Sequence, residues 1–454
     1  MQQRQDASRR RPAVVTGTRH TGRSHMSTSH LDFFLLAKII WADHPEDVHA
    51  HLGSLMVMIL ANARVVTPDR VLDPGWVALD GNRISAVGAG DPPSADAAVH
   101  DLGSDYVLPG FVDLHMHGGD GAQVTTEDPA EILRAIAFHR RHGTTRTLAS
   151  LVTSPVEEMA AAARTVAALM RSSDPLHRSI AGIHLEGPFL NPNHRGAHHR
   201  DYVLAPDVGA LRHLLASGDG AVRTVTLAPE LDGGMDLVRE VVASGAVVAV
   251  GHTDASYDEA HRAFDAGAGM ATHLFNAMRP FHHREPGPAV AALTHDNVTC
   301  ELINDGVHLH SATTRLAFAA AGAERIALVT DATPAAGVSD GRFDLGPLPV
   351  LARDGKVTLL DGVTNAGSTL TMDRALRHAV RCVGIPITRA AVAAATTPAR
   401  MLGLGDRTGS IEPGKDADLV VLTDGLHVRT VIADGEVVHG TLATSADAAP
   451  GGAA

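Results

Sequence analysis

The feature that most constrains this chain is an alternation of short apolar runs with segments of helical length, between residues 107 and 330. Segments such as Pro129–Arg141 and Val156–Met170 separate the runs and are rich in Ala, Leu and Arg. Parallel strands need helical crossovers, so eight repeats predict an α/β fold, a TIM-like (β/α)₈ barrel. The apolar runs are Val107–Met116, Thr144–Val152, Ile180–Glu186, Val222–Ala228, Ala246–Gly251, Met270–Phe275, Val298–Ile303 and Arg325–Thr330.

Turn-rich segments of β character flank the barrel on both sides. Turn signals such as Asp-Pro-Gly at 73–75 and Asp-Gly-Asn at 80–82 break the segments into short strands. We expect residues 58–106, 335–366 and 404–442 to pair into one small β-sandwich built from both ends of the chain. Residues 107–334 and 367–403 would then form the barrel.

The first 57 residues differ from the rest. Their one apolar stretch, Leu31–Ala42, is too short to span a bilayer and is interrupted by Lys38. The segment also lacks the order of parts that a secretory signal needs. We expect residues 1–57 to be a disordered extension or a mis-assigned gene start, with Met56 or Met58 as the initiator, and residues 443–454 to be a flexible tail.

Composition excludes several classes of protein. The 38 basic and 51 acidic residues give a net charge of −13, which argues against nucleic acid or an anionic membrane as a partner. The two cysteines, Cys300 and Cys382, form no CxxC pair. That excludes a disulfide scaffold and fits a reducing cytoplasm.

Side chains that ligate metals stand at the carboxyl ends of five predicted barrel strands, the end where such barrels carry their chemistry. With 28 histidines in the chain, a single His-x-His pair is no signal, and His308–His310 is a second example. Ligand-type residues at five of eight strand ends are much harder to attribute to chance. They predict a site for zinc or a similar divalent ion. The residues are His115, His117, Glu186, His252, His273 and Asp331.

This donor set favours the hydrolysis of an amide. A bound ion activates water and polarises a carbonyl oxygen, and a nearby carboxylate such as Asp331 exchanges the protons. None of the three lysines, Lys38, Lys356 and Lys415, lies on a predicted barrel strand. The sequence therefore excludes a carboxylated lysine as a bridge between two ions, and we expect Glu186 in that place.

Several longer motifs resemble the amidohydrolase superfamily, and more closely its N-acetylglucosamine-6-phosphate deacetylases. The resemblance covers residues 58–440, and the combination of LEGPF, THLFNAM, REPG and LVTDAT is its specific part. The motifs include PGFVDLHMHG (109–118), HLEGPFLNPNHRGAH (184–198), THLFNAM (272–278), HREPG (283–287), LVTDAT (328–333) and GSIEPGKDADLVVL (409–422).

The resemblance implies a set of roles in the metal site. Glu186, His252 and His273 would bind the principal ion. The pair His115 and His117 would give capacity for a second, so that each subunit holds one or two divalent ions, zinc by preference. Asp331 would touch the ions and act as general base and then acid, and His198 would polarise the acetyl carbonyl.

The resemblance also implies the substrate, N-acetyl-D-glucosamine 6-phosphate, hydrolysed in the cytoplasm to D-glucosamine 6-phosphate and acetate during amino-sugar catabolism. Arg284 would reach the phosphate from the neighbouring subunit, which implies a homodimer. The alternatives are N-acetylgalactosamine 6-phosphate, another amide of the superfamily, or a barrel without activity. The other expected substrate contacts are Ala197, His198, Asn276, Ala277, His308, Asn365, Ala366 and Gly367.

Overall fold

The computed structural model describes residues 58–93 and 97–442 and has a ring of eight parallel strands at its centre. Each strand pairs with the next one along the chain, as a (β/α)₈ barrel requires. The predicted fold class is confirmed. The barrel strands, one to eight, are Phe111–Asp113, Thr144–Val152, Ile180–Glu186, Val222–Leu227, Val247–Val250, Met270–Ala271, Thr299–Ile303 and Ile326–Val329.

Strands one and eight are joined just beyond their carboxyl ends. The backbone N–H of Asp331 donates to the carbonyl oxygen of His115 at 2.8 Å, and that of His117 donates to Ala332 at 2.8 Å. The Oδ2 atom of Asp113 accepts from the hydroxyl of Thr330 at 2.6 Å. The ring is therefore held together at the face where the predicted ligands stand.

Helices cover the outside of the barrel. Aspartate or serine caps begin several of them, and Ser256 forms a reciprocal capping box with Glu259. Short 3-10 turns lie at His177–Ser179, Arg200–Tyr202 and Ala323–Arg325, and π-helical turns at Ala379–Val383 and Val392–Thr396. The α-helices are Pro129–Arg141, Val156–Met170, Val208–Ser217, Gly234–Ser244, Tyr257–Asp265, Gly287–Thr294, Ser311–Ala321, Met372–His378, Ile387–Ala391 and Thr397–Met401.

Both ends of the described chain meet in one eight-stranded sheet, here called the terminal sheet. Tyr106–Pro109 pairs with Met58–Val66 on one side and with Leu419–Leu422 on the other. Buried side chains including Leu60, Val77 and Ile432 form its own apolar core. The remaining strands are Val71–Asp80, Arg83–Ala89, Ala98–Asp101, Val428–Ala433 and Glu436–Gly440.

The boundary between terminal sheet and barrel lies later than expected. The apolar run predicted as one barrel strand, Val107–Met116, is two strands, because residues 106–109 belong to the terminal sheet. The chain passes between the sheets at Gly110, where a Cβ would lie 2.3 Å from the hydroxyl of Thr145. The domain boundary at residue 106 is therefore corrected to Gly110.

The expected place of residues 335–366 in the sandwich is wrong. Their strands, Gly341–Leu345, Leu348–Arg353, Lys356–Leu359 and Asn365–Ser368, form a separate antiparallel sheet, here called the hairpin sheet. Tight turns let these strands pair with one another directly after strand eight. The core of the hairpin sheet packs against Val152 at the end of strand two. A two-stranded sheet, Gly118–Gly119 with Ala122–Gln123, completes the fold.

The expectations for residues 1–57 and 443–454 fall outside the described residues. None of the helices in the described ranges has the length and apolar character needed to cross a bilayer.

Candidate metal centre

The backbone is strained at three predicted ligands. His252, His273 and Asp331 have φ angles of 47°, 26° and 48°, in the left-handed region that residues with a Cβ rarely adopt. Each stands two residues past the end of its barrel strand. Such strain costs about 1–3 kcal/mol per residue and concentrates at functional sites. The chain therefore turns out of the barrel wall at three of the residues predicted to form the metal site.

Glu186 lies at the centre of a cluster of predicted metal ligands. The other members of this ligand cluster are His115, His117, His252, His273 and Asp331. Its Oε1 atom is 3.2 Å from Nε2 of His252 and 3.2 Å from Nε2 of His273. These two nitrogens are 2.9 Å apart. The three residues expected to bind the principal ion come from different strands, and the structure brings them together in a buried position.

The second group of predicted ligands, His115, His117 and Asp331, lies around the same carboxylate. Oε2 of Glu186 is 3.1 Å from Nε2 of His117, and Oδ1 of Asp331 is 3.3 Å from that nitrogen. Nε2 of His115 is 3.0 Å from Nε2 of His117 and 3.4 Å from Oε1 of Glu186. Glu186 therefore contacts both groups, as a bridging ligand would.

His198 reaches the same cluster. Its Nε2 atom is 3.3 Å from Nε2 of His252 and 3.4 Å from Oε2 of Glu186. Its Nδ1 atom is buried and has no hydrogen-bond partner among the described residues. The ring therefore stands beside the predicted ligands His252 and Glu186.

Burial and charge act in opposite directions on these groups. Burial would raise the pKa of the two carboxyls, but the facing imidazoles hold the pKa of Glu186 well below its ordinary range and lower that of Asp331 to about 2. Burial opposes protonation of His117, yet hydrogen bonds to Asp331 and Glu186 raise its pKa to about 9. Both carboxylates are anionic at neutral pH, and a metal ion displaces the imidazole proton when it binds.

Acceptors outside the cluster fix two imidazole rings. Nδ1–H of His115 donates to Oε2 of Glu301 at 3.1 Å, and Nδ1–H of His117 donates to the carbonyl oxygen of Ser150 at 2.9 Å. Because Nδ1 is the donor in both rings, each ring turns its Nε2 atom toward the site. The carboxylate of Glu301 behind His115 would also make that imidazole a stronger metal ligand.

Sequence reasoning missed Glu301. This residue is fully buried in barrel strand seven, and its Oε2 atom also accepts the backbone N–H of His273 at 3.0 Å. It therefore supports one residue of each ligand group. A signal was available, because a single acidic residue inside the apolar run 299–303 is costly to bury without partners.

The donor set fits a divalent cation. Imidazole nitrogens face one another at 2.9–3.3 Å around two anionic carboxylates. These are the donor types that zinc and related ions take in proteins. Two compact groups of ligand atoms are present, His115 with His117 and Asp331, and Glu186 with His198 and His252.

A cavity of about 510 Å³ is lined by every predicted ligand except His115. Its wall also contains seven of the nine residues expected to contact substrate, and so the structure gathers most of the predicted binding site around the ligands. The seven are Ala197, His198, Asn276, Ala277, His308, Asn365 and Gly367.

The other two expected contacts lie elsewhere. Ala366 is buried in the core of the hairpin sheet, because alternate strand residues face opposite sides and its neighbours Asn365 and Gly367 face the cavity. Arg284 lies in an exposed segment and lines a separate, smaller cavity with Arg279 and Tyr257. Within one chain, Arg284 does not reach the ligand cluster's cavity.

Comparisons with known proteins agree with this geometry. Residues 106–438 match the amidohydrolase family. N-acetylglucosamine-6-phosphate deacetylase of Bacillus subtilis (strain 168) is 36% identical over 386 residues, which are 84% of this chain and 96% of that protein. N-acetylgalactosamine-6-phosphate deacetylase of Escherichia coli O157:H7 is 35% identical over 383 residues, 84% of this chain and 99% of that protein. The crystal structure of N-acetyl-D-glucosamine-6-phosphate deacetylase from Mycobacterium smegmatis is 43% identical, with a TM-score of 0.79 over 84% of this chain and 100% of that chain.

Proposed function

The chain belongs to the amidohydrolase family, and we propose that it hydrolyses N-acetyl-D-glucosamine 6-phosphate to D-glucosamine 6-phosphate and acetate. One observation carries this proposal: the two oxygens of Glu186 face both histidine groups inside a cavity lined by the expected sugar contacts. Relatives at 36% and 43% identity named for this reaction support it.

Residues of the cluster would hold one or two ions. Glu186, His252 and His273 would bind the principal ion, and His115 and His117 would complete a second site. When bound, such an ion lowers the pKa of a water molecule and polarises a carbonyl oxygen.

Asp331 performs the proton transfers in this proposal. Its carboxylate is anionic at neutral pH and lines the cavity, so it accepts a proton from the attacking water. The water oxygen adds to the acetyl carbon, and His198 stabilises the resulting oxyanion. Asp331 then returns the proton to nitrogen as the C–N bond breaks, which releases acetate and the free amine.

The finer proposals concern the metal, the assembly and the location. Imidazole and carboxylate donors favour zinc. Arg284 lies outside the cavity of its own chain, which supports a homodimer in which it reaches the partner's substrate. A guanidinium group suits phosphate geometry. Cys300 and Cys382 are free thiols, which favours the reducing cytoplasm as the location.

Acetate release from N-acetylglucosamine 6-phosphate, measured with and without a chelator, tests the proposal. We expect turnover that the chelator abolishes and added zinc restores. No acetate release by the zinc-loaded protein would overturn the function, and turnover that resists metal removal would overturn its metal dependence.

N-acetylgalactosamine 6-phosphate is the second candidate substrate, because a relative named for it is 35% identical over almost its whole length. Comparing kcat/KM for the two phosphorylated sugars decides between them. A higher value for the galactose epimer would replace the primary assignment while leaving the metal chemistry unchanged.

A further inference from the structure

The wall of the ligand cavity carries one permanently charged cation, Lys356. Among the described residues that line this cavity, no arginine and no other lysine occurs. Lys356 begins the third strand of the hairpin sheet and is exposed. None of the ion pairs found within residues 58–93 and 97–442 involves it. Its ammonium group is therefore available to an anion that enters the cavity.

A histidine shares this wall with the lysine. Nδ1–H of His308 donates to Oδ2 of Asp305 at 2.7 Å, which leaves Nε2 as the nitrogen for a ligand. Burial opposes the charged form of His308, but Asp305 raises its pKa, while the charge of Lys356 acts to lower it. His308 and Lys356 therefore both offer a nitrogen to a ligand in the same cavity.

The backbone holds Lys356 in a fixed relation to the proposed acid–base residue. Lys356 pairs in register with Ser368 on the neighbouring strand. The backbone N–H of Ser368 donates to the carbonyl oxygen of Asp331 at 2.8 Å. Gly367 allows this approach, since its φ is 62° and a Cβ there would lie 2.7 Å from that oxygen. One hydrogen-bonded ladder therefore connects the lysine to the reaction centre.

Acidic and basic side chains share the wall of the cavity. Glu186 and Asp331 belong to the ligand cluster, whereas Lys356 and His308 are lining residues outside that cluster. N-acetylglucosamine 6-phosphate carries its acetamido group on ring carbon C2 and its phosphate on the exocyclic carbon C6, so the two groups are well separated. If the acetamido group lies at the ligand cluster, Lys356 is the lysine of the cavity wall that the phosphate can meet.

We infer that Lys356 binds the substrate phosphate from within the same subunit and is a specificity-determining residue of the hairpin sheet. This inference rests on the proposed function. It assigns to the chain's own hairpin sheet a share of the phosphate recognition that Arg284 alone would otherwise supply from a neighbouring subunit.

Steady-state kinetics of zinc-loaded Lys356→Met test the inference. An ammonium–phosphate contact at an exposed rim is worth about ten-fold in affinity. We expect KM for N-acetylglucosamine 6-phosphate to rise about ten-fold with little change in kcat, and the loss to be confined to phosphorylated sugars. Lys356→Arg should retain most of the affinity. Arg342→Met, which removes an equal charge from an exposed position of the same sheet outside the cavity, should behave as wild type.

Calorimetric binding of D-glucosamine 6-phosphate separates this inference from the proposed function. If wild type binds the product without catalysing deacetylation, and Lys356→Met binds it more weakly, the lysine contact stands and the proposed reaction fails. If wild type deacetylates and Lys356→Met has an unchanged KM, the contact fails and the reaction stands. Equal losses on phosphorylated and unphosphorylated sugars would also overturn the contact, and absence of both turnover and binding would overturn both proposals.

Discussion

At the scale of single residues, Asp331 is the position where the proposed proton transfer can be tested separately from binding of the principal ion. Asparagine preserves the shape of the side chain but cannot take up the proton. We expect Asp331→Asn to lower kcat by about 10²–10⁴-fold while the principal ion remains bound, because Glu186, His252 and His273 are unchanged. Turnover numbers together with the metal content of the purified variant check this. Near-native turnover would exclude the acid–base role.

Glu301 allows a test of whether a hydrogen-bond acceptor behind a predicted ligand strengthens metal binding. Its carboxylate accepts from Nδ1–H of His115, and loss of such partners typically weakens metal binding by about 10–100-fold. We expect Glu301→Gln to weaken the second ion by that factor, measured by zinc titration against a competing chelator.

The control for this change is Glu158→Gln, which removes the same charge from an exposed helical position. It should leave both zinc affinities unchanged. A Glu301 variant that titrates like this control would show that the buried carboxylate serves packing alone.

The clustering of the predicted ligands could be anticipated from the sequence, whereas the partners of the residues that support them could not. Strand periodicity and barrel geometry place His115, His117 and Glu186 at one face without further information. The role of Glu301 depends on a hydrogen bond to a distant strand, and that of Lys356 on which sheet its strand joins. Neither dependence is visible in a local pattern.

At the scale of elements, strand bounds were predicted most accurately for segments that lie in a single sheet. The bounds of Thr144–Val152 and Ile180–Glu186 agree with the structure. The predicted strand Met270–Phe275 ends at Ala271, because the left-handed backbone at His273 takes the chain out of the ladder. The hairpin strands were recognised as strands but assigned to the wrong sheet, since alternation of apolar residues does not specify a pairing partner.

The helix Pro129–Arg141 carries a buried titratable group, which gives a prediction about pH. Burial lowers the pKa of His139 to about 4, although its Nε2–H donates to the carbonyl oxygen of Gly118 at 2.9 Å. Of the charged groups that act on His139, His142 lowers its pKa and Asp373 raises it, each by less than burial does. Because the folded pKa is depressed, the stabilisation is present above about pH 6.5 and is lost as the pH falls toward 4.

His139→Gln removes this titration while retaining a donor. Between pH 7.5 and 5, the free energy of unfolding of wild type should fall by about 2 kcal/mol more than that of the variant. Urea unfolding at both pH values measures the two slopes, and any constant loss in the variant cancels. Parallel slopes would show that the ring does not titrate as described.

At the scale of the whole molecule, one arginine connects the barrel to the terminal sheet. Arg146, on barrel strand two, is buried, and its Nη2 atom lies 3.0 Å from Oδ2 of Asp418 and 3.1 Å from Oδ1 of Asp434. Removing one partner of a buried ionic group leaves uncompensated charge and costs about 3–5 kcal/mol.

We therefore expect Arg146→Met to lower the free energy of unfolding by about that amount in urea or thermal unfolding. Arg171→Met serves as the matched change, because Arg171 pairs with Asp219 in an exposed position and such pairs contribute at most about 1 kcal/mol. Similar losses in the two variants would contradict a role for Arg146 in joining the sheets.

The hydrogen-bonded junction of barrel strands one and eight has a consequence for biosynthesis. A polypeptide emerging from a ribosome carries His115 and His117 long before Asp331 has been translated, at about 5–20 residues per second. More than two hundred further residues follow His117 in the sequence before Asp331 is added. The interval is longer still for the strand Tyr106–Pro109, because its neighbour Leu419–Leu422 is translated near the end of the chain. Completion of the second proposed metal site is therefore a late event in biosynthesis, and a chain truncated before the eighth strand lacks the carboxylate that Asp331 supplies to that site.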